Sequence, residues 1–222
     1  MAEYEIWKFL HICMFVFWLG TDVGVMLCSK KSVDPNLSIE ARFQMLEMAL
    51  KIELLPRVMW VMALPFGIHL SLTLGYINLS MVEIILIWGF TFTWLVINVG
   101  GAANLNKPWG QNLSKINRYI VALLGVGLIF VSITSFMGNG PYDANSVALK
   151  VGLYGLVNLT ILGIEIAFFP LGKAFERLAI EGSSPDLESE ISGGMSKTLQ
   201  WVHATYMLIF IVAFIGATKI IG

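Results

Sequence analysis

Two histidines lie within long apolar stretches of this sequence, where an imidazole needs a hydrogen-bond partner or a metal ion to offset its removal from water. His11 lies in IWKFLHICMFVFWLGTDVG and His69 lies in MALPFGIHLSLTLGY. Pro65 and Gly67 precede His69, so the helix can bend there and leave room for a bulky neighbour. Two imidazoles at similar depth on two helices are what a bis-histidine b-type haem requires. The pair predicts haem b with His11 and His69 as metal ligands, while a proton relay or an ordinary hydrogen-bonded pair stays open.

The residues after His11 form a stripe along one face of the same helix. Phe15, Trp18 and Asp22 follow His11 at steps of four, three and four residues, which is the spacing of one helical face. Lipid would penalise both polar ends of this stripe, so we expect the stripe to face protein or a cofactor. Phe15 and Trp18 are therefore expected to line the cofactor. A lipid headgroup or a backbone carbonyl is the open alternative partner for His11.

Five further ionisable residues lie within or at the ends of the apolar stretches. Asp22 and Arg57 are expected at the same end of two neighbouring spans, which predicts a salt bridge, although Arg57 could also hold a haem propionate. Glu165 in ILGIEIAFF is enclosed by large apolar residues, which suits a proton-handling acid or a partner of Arg57 or His203. Lys150 begins a span and is interpreted as a lysine that reaches the interface. His203 is expected near the opposite face from His11, with no partner assigned.

The composition is that of an integral membrane protein. The chain is 57% hydrophobic and only 13% charged, with a mean hydropathy of +0.76, whereas about 25% of a soluble domain is charged. The formal net charge is −1 and the chain has no basic run, so nucleic acid is excluded as a partner. The lipid bilayer is the expected environment.

Six stretches have the roughly 20 mainly apolar residues that a spanning helix needs. They fill most of residues 1–222, which predicts an all-α, polytopic membrane helical bundle in a single integral membrane domain. The predicted spans are 6–28, 57–78, 81–103, 118–137, 146–169 and 199–221.

The distribution of lysine and arginine predicts the orientation. Eleven of the 14 basic residues fall in the odd-numbered connections, so these connections are expected in the cytoplasm. Both termini are then expected outside. The expected location is the inner (plasma) membrane of a bacterium, with the termini in the periplasm. On this orientation His11 and His69 lie roughly 8 and 13 Å below the outer boundary. Connection 29–56 carries an apolar periodicity that predicts an amphipathic helix lying along the membrane. Connection 170–198 predicts a weaker amphipathic segment followed by the polar, mobile SSPDLESE.

The motif KFLHICMFVFWLG is similar to the first span of HemJ-type protoporphyrinogen oxidases and of the related CopD-like and uncharacterised predicted integral membrane families. The run ARFQMLEMALKIELLPRVMWVMALPFGI resembles their next region, so the resemblance lies mainly in residues 6–75, with a weaker echo in ALKVGLYGLVNLTILG. It implies a membrane bundle that binds b-type haem, with His11 as an axial ligand and Lys150 as a functional lysine. Three departures from the family pattern argue against protoporphyrinogen oxidation itself. The chain has six spans, it carries Asp22 in the first-span motif, and it has Glu165 where the family pattern leads us to expect a histidine.

The leading functional interpretation is a membrane b-type haem protein that passes electrons within the bilayer, as a homo-oligomer or as a subunit of a larger redox complex. Any catalysis of its own would be that of a haem-dependent oxidoreductase similar to the HemJ type. The first alternative is a proton- or ion-coupled transporter or channel that uses the intramembrane Asp, Glu, Arg and His residues. The second alternative is a non-catalytic membrane subunit or assembly factor, in which the polar pairs only fix helix packing.

Overall fold

The computed structural model describes residues 2–218, and this part of the chain is helical with short connections and no strand. The helix starts follow local sequence. The hydroxyl of Ser38 accepts from the backbone of Ala41, Ser80 and Glu83 form a capping box, and Pro108 begins its helix. The seven helices are α1 (Ala2–Ser32), α2 (Ile39–Ile52), α3 (Leu54–Thr73), α4 (Met81–Ala103), α5 (Pro108–Phe136), α6 (Asn145–Glu181) and α7 (Pro185–Thr218).

Six helical segments in the described residues are long and apolar enough to cross a membrane, and α3 counts together with α2 as one of them. The prediction of an all-helical, multi-pass membrane protein is confirmed. The second predicted span is too long at its end, because α3 stops at Thr73 and Gly75 then adopts a φ of +73°. A residue with this backbone conformation ends a helix, and glycine adopts it without steric cost.

Neighbouring helices pack in chain order around the bundle. Helix α1 packs on α3, α3 on α4, α4 on α5, α5 on α6 and α6 on α7, and a smaller contact between α7 and α1 closes the ring. The rings of Trp60 and Trp94 meet edge to face at 5.2 Å inside this ring of helices. The first core consists of the buried residues Met14, Trp18, Trp60, Val61, Trp94, Val121, Val157 and Ile209.

A separate second core lies where α6 and α7 continue beyond the predicted spans. The apolar residues Ile39, Phe43 and Leu46 of α2 pack against it, and the rings of Phe43 and Phe175 lie 5.8 Å apart. Protein therefore covers part of the apolar face of α2, and the position of α2 along the membrane stays a prediction. The second core consists of Leu171, Ala174, Phe175, Leu178, Leu187, Ile191 and Met195.

The ends of α6 and α7 enclose this second core and are joined by a short turn. Gly182, at a φ of +78°, ends α6, and α7 begins at Pro185, so most of the segment predicted to be mobile is helical. The buried guanidinium of Arg42 forms a bidentate pair with Glu188, at 2.7 and 3.0 Å, which joins α2 to α7. Pro170 lies inside α6 just before this core, and Gly194 of α7 packs closely against Leu171.

Candidate functional site

The histidine site comprises Trp7, His11, His69, Trp88 and Lys150. The half-buried His69 ring is held on two sides by aromatic residues. The indole Nε1 of Trp88 donates to His69 Nε2 at 2.9 Å, and the Trp7 ring stacks on the imidazole with centroids 4.0 Å apart and planes 12° apart. These contacts tie α3 to both α4 and α1.

The His11 side chain points into the bundle and carries a polar atom that nothing satisfies. Its Nδ1 is buried and has no hydrogen-bond partner among the described residues. Its Cε1 lies 3.8 Å from the position that a Cβ on Gly67 would occupy, so α3 is close to the ring there. The charge of Lys150, on α6, acts on the His11 ring. The fold thus brings together a histidine and a lysine that lie far apart in the sequence.

The two histidines contact different surroundings although both belong to this end of the bundle. His11 faces Gly67, whereas His69 lies two residues further along α3, about 200° around the helix. His69 instead contacts Trp7 and Trp88. The described contacts therefore form two groups, and the shared link between them is Trp7, one helical turn before His11.

The predicted stripe on α1 faces the protein. Trp18 is 7% exposed and belongs to the first core, and Phe15 packs against that core and meets Phe210 edge to face at 6.5 Å. On the opposite side of α1, Val16 and Phe17 are more than half exposed. This part of the sequence interpretation is confirmed, since the polar ends of the stripe are turned away from the outer surface.

The arginine network, composed of Glu53, Arg57, Asn98, Asn117 and Glu165, lies on the Lys- and Arg-rich side. Arg57 pairs with Glu53 at 2.7 Å and with Glu165 at 3.2 Å, and it also donates to the Asn98 carbonyl oxygen at 2.9 Å. Asn117 donates to the same Glu165 oxygen at 3.3 Å and accepts from the indole of buried Trp94 at 3.0 Å. The network thus joins polar side chains of α3, α4, α5 and α6.

The predicted Asp22–Arg57 ion pair is wrong. Among the described residues, the carboxylates within ion-pair distance of Arg57 belong to Glu53 and Glu165. Glu53 lies one helical turn before Arg57, so a local partner takes the position that the sequence interpretation gave to Asp22. The predicted alternative pairing of Glu165 with Arg57 is confirmed.

A cavity of about 140 Å³, here called the inner cavity, lies beside the arginine network. Asp22 and Tyr206 face each other across part of its wall, and Glu53, Arg57 and Glu165 also line it. The remaining lining is mainly apolar and comes from α1, α2, α6, α7 and Leu105 of the connection between α4 and α5. Three carboxyl groups therefore share this cavity with one guanidinium.

Arg57 and His203 are distant from the histidine site. Arg57 precedes His69 by twelve residues on one helix, roughly 18 Å along its axis, and its donors already contact carboxylates and an amide. The exposed His203 ring meets Tyr206 edge to face at 6.5 Å and, with Lys30, lines a shallow groove on the outside of the bundle.

The two imidazoles differ in what they could offer a ligand such as haem iron. A buried imidazole nitrogen without a partner is what a missing ligand or hydrogen-bond acceptor would leave at His11. At His69, ligation through Nε2 requires that Trp88 first release this nitrogen. Among residues 2–218, no group of three or more His, Cys, Asp or Glu side chains could hold a metal ion.

The sequence interpretation did not identify several residues of these sites, although most of them leave a signal in the sequence. Trp7 lies four residues before His11 on the same helical face, and Glu53 lies four residues before Arg57. Asn98 and Asn117 are amides at or near the ends of apolar stretches, where an unpaired amide is costly, so each required a partner. The contact of Trp88 with His69 leaves no such periodicity.

No family model, curated protein or solved structure matches this chain. The resemblance of residues 6–75 to the HemJ-type and CopD-like families therefore stays a prediction from the sequence. The geometry of the two sites is what bears on function.

Proposed function

We propose that this chain is a membrane b-type haem protein that passes electrons within the bilayer as part of a larger redox complex. We place it in a bacterial inner membrane, with both termini in the periplasm. The observation that carries the proposal is the buried Nδ1 of His11, which has no partner among the described residues. A buried nitrogen of this kind costs about 1–3 kcal/mol unless a ligand or a water satisfies it.

The protein residues would bind and enclose the haem, whose iron accepts and releases one electron. His11 supplies one imidazole, and His69 supplies the second once Trp88 releases its Nε2. Trp7 stacks on one face of the His69 ring and would help to fix its orientation. Lys150 places a positive charge beside His11, which suits a propionate.

An absorption spectrum of the full chain, purified in detergent from haem-replete cells, tests this proposal. We expect a Soret band that shifts on reduction, disappears in His11→Ala and changes in His69→Ala. His203→Ala is the matched control, because it removes an exposed imidazole on α7 and should leave the spectrum unchanged.

A folded, colourless wild-type protein would overturn the haem proposal. A Soret band of the same intensity and position in His11→Ala would also overturn it. Folding is checked independently by size-exclusion chromatography and far-UV circular dichroism, so loss of colour through unfolding is recognised.

The inner cavity favours a second candidate function, which is proton- or ion-coupled transport. Its wall holds Asp22, Glu53 and Glu165 against one balancing cation, Arg57, in a mainly apolar surround. Ionisable groups at such positions are expensive and mark ion or proton pathways. Asp22 is the carboxyl with no cation within ion-pair distance among the described residues, so it is the group that would exchange a proton.

Proton uptake into liposomes containing the purified chain tests this second candidate. A potassium gradient with valinomycin supplies the driving force, and an enclosed pH-sensitive dye reports protons. Uptake above that of empty liposomes, lost in Asp22→Asn and retained in Asp34→Asn, would support transport. Equal uptake by liposomes with and without protein would exclude proton transport.

A further inference from the structure

A shallow groove of about 360 Å³ runs between the end of α1 and the first half of α7. Ser192, Ser196, Gln200 and His203 recur along α7 at spacings of four, four and three, so their side chains line one wall. Lys30 at the end of α1 also lines the groove. The α1–α7 groove is defined by these five polar residues and the apolar Val33, Met195 and Leu199.

The groove presents hydrogen-bond donors and a positive charge without a carboxylate in its lining. Acidic residues close by in sequence have other partners, because Asp34 pairs with Lys31 at 3.1 Å and Glu190 with Arg177 at 2.7 Å. In the part of the chain that the structure describes, no carboxylate lies within ion-pair distance of Lys30. The charge of Lys30 is thus available to an anionic ligand.

The groove lies where the apolar stretches of two helices end. Leu27, one turn before Lys30, is 56% exposed, and Trp201, beside Gln200, is 44% exposed. Exposed leucine and tryptophan at such a boundary are typical of residues that contact acyl chains and the headgroup region. This boundary is on the side that carries most lysines and arginines, the side where anionic lipids concentrate in the cytoplasmic leaflet.

We propose that the α1–α7 groove binds the headgroup phosphate of an anionic phospholipid. The Lys30 ammonium pairs with the phosphate, and the hydroxyls of Ser192 and Ser196 donate to its oxygens. Val33 and Leu199, which are partly exposed in the groove, contact the glycerol and the first acyl carbons, where an apolar surface is needed. This proposal is independent of haem, because the groove and the histidine site belong to opposite ends of α1.

Native mass spectrometry of the full chain in detergent, with equal amounts of phosphatidylglycerol and phosphatidylcholine added, tests the groove. We expect phosphatidylglycerol to bind in preference and Lys30→Gln to weaken this binding about fivefold, which corresponds to the roughly 1 kcal/mol that one basic residue contributes near an anionic surface. Ser196→Leu should weaken it as well by filling the groove. Lys107→Gln removes the same charge from an exposed position between α4 and α5 and should have no effect.

Three outcomes would overturn the proposal. The first is equal retention of the two lipids by the wild-type chain, and the second is an equal loss of phosphatidylglycerol in Lys30→Gln and Lys107→Gln. The third is complete displacement of the lipid by millimolar inorganic phosphate, which would identify the ligand as free phosphate. Both Lys30 and Ser196 are exposed, so neither substitution is expected to unfold the chain.

Discussion

Replacement of Arg57 should destabilise the bundle far more than replacement of Asp22 or Glu165, two of the three carboxyl residues that line the inner cavity. Arg57→Gln removes both ion pairs of this guanidinium and leaves Glu53 and Glu165 without their cation. Removal of one partner from a buried pair costs about 3–5 kcal/mol. The side chains of Arg57 and Glu165 are 16% and 17% exposed, so we expect the lower end, about 3 kcal/mol.

The two carboxyl substitutions should differ from this value and from each other. Glu165→Gln keeps an oxygen that can accept from Arg57 and Asn117, so its expected cost is about 1 kcal/mol. Asp22→Asn removes no ion pair with Arg57 and should leave the arginine network intact. In double-mutant cycles, the coupling energy between Arg57 and Glu165 should therefore exceed that between Arg57 and Asp22 by about 1 kcal/mol.

Unfolding in mixed micelles with increasing sodium dodecyl sulfate, followed by the fluorescence of the seven tryptophans, measures these free energies. The single variants and the two double variants are compared under one detergent condition. A coupling energy between Arg57 and Asp22 equal to or above that between Arg57 and Glu165 would refute the network as described here.

Two further predictions concern helix packing and the histidine site. Gly125→Ala should lower the unfolding free energy by about 1–3 kcal/mol, because the new Cβ would lie 2.8 Å from Leu159 Cδ2. Gly127→Ala on the same helix is the control, since its Cβ would meet nothing within 4 Å and should cost nothing. Equal unfolding free energies for the two variants would contradict this close approach. Trp88→Phe keeps an aromatic ring but removes the donor to His69, so the unfolding free energy should fall by about 1 kcal/mol. Haem added to the apoprotein should then bind His69 more readily. A variant as stable as the wild type would show that this hydrogen bond contributes nothing.

The sequence predicts well where the long apolar helices lie along the chain, and it predicts only part of what their side chains contact. Long apolar stretches located all six spans, because only helices of that length satisfy the backbone in lipid. The expected levels of Asp22 and Arg57 also agree with the inner cavity, which both residues line. The contacts of Arg57 depend on how each helix is rotated about its own axis. Packing between residues that are distant in the sequence fixes this rotation.

The same reason explains what the sequence interpretation lacked at the histidine site. The stripe that joins His11 to Asp22 predicted that His11 faces the protein, and in the structure its Nδ1 is buried. Nearly every residue of α3 around His69 is apolar, so the sequence could not predict that His69 contacts Trp7 and Trp88. The convergence of Lys150 on His11 is a tertiary property, set by the packing of α6 within the ring.

The second core was missed because its residues lie in segments that are polar on average. The residues next to Phe175 and Ile191 in the sequence are mostly polar, which is typical of an exposed segment. The packing of α2 against both long helices helps to bury these two side chains. The ion pair between Arg42 and Glu188 was not predicted either, since its partners are 146 residues apart in the sequence.

Pro170 in α6 and Gly194 in α7 lie side by side at the level where the two cores meet, through the contact of Gly194 with Leu171. The proline removes one backbone hydrogen bond from α6, and glycine is the residue that stiffens a helix least. Both long helices therefore have a less rigid point at the same height, and a bend there would swing the second core relative to the first. Because Leu46 and Ala49 of α2 form part of the wall of the inner cavity, such a swing would widen or narrow the cavity that Asp22 lines.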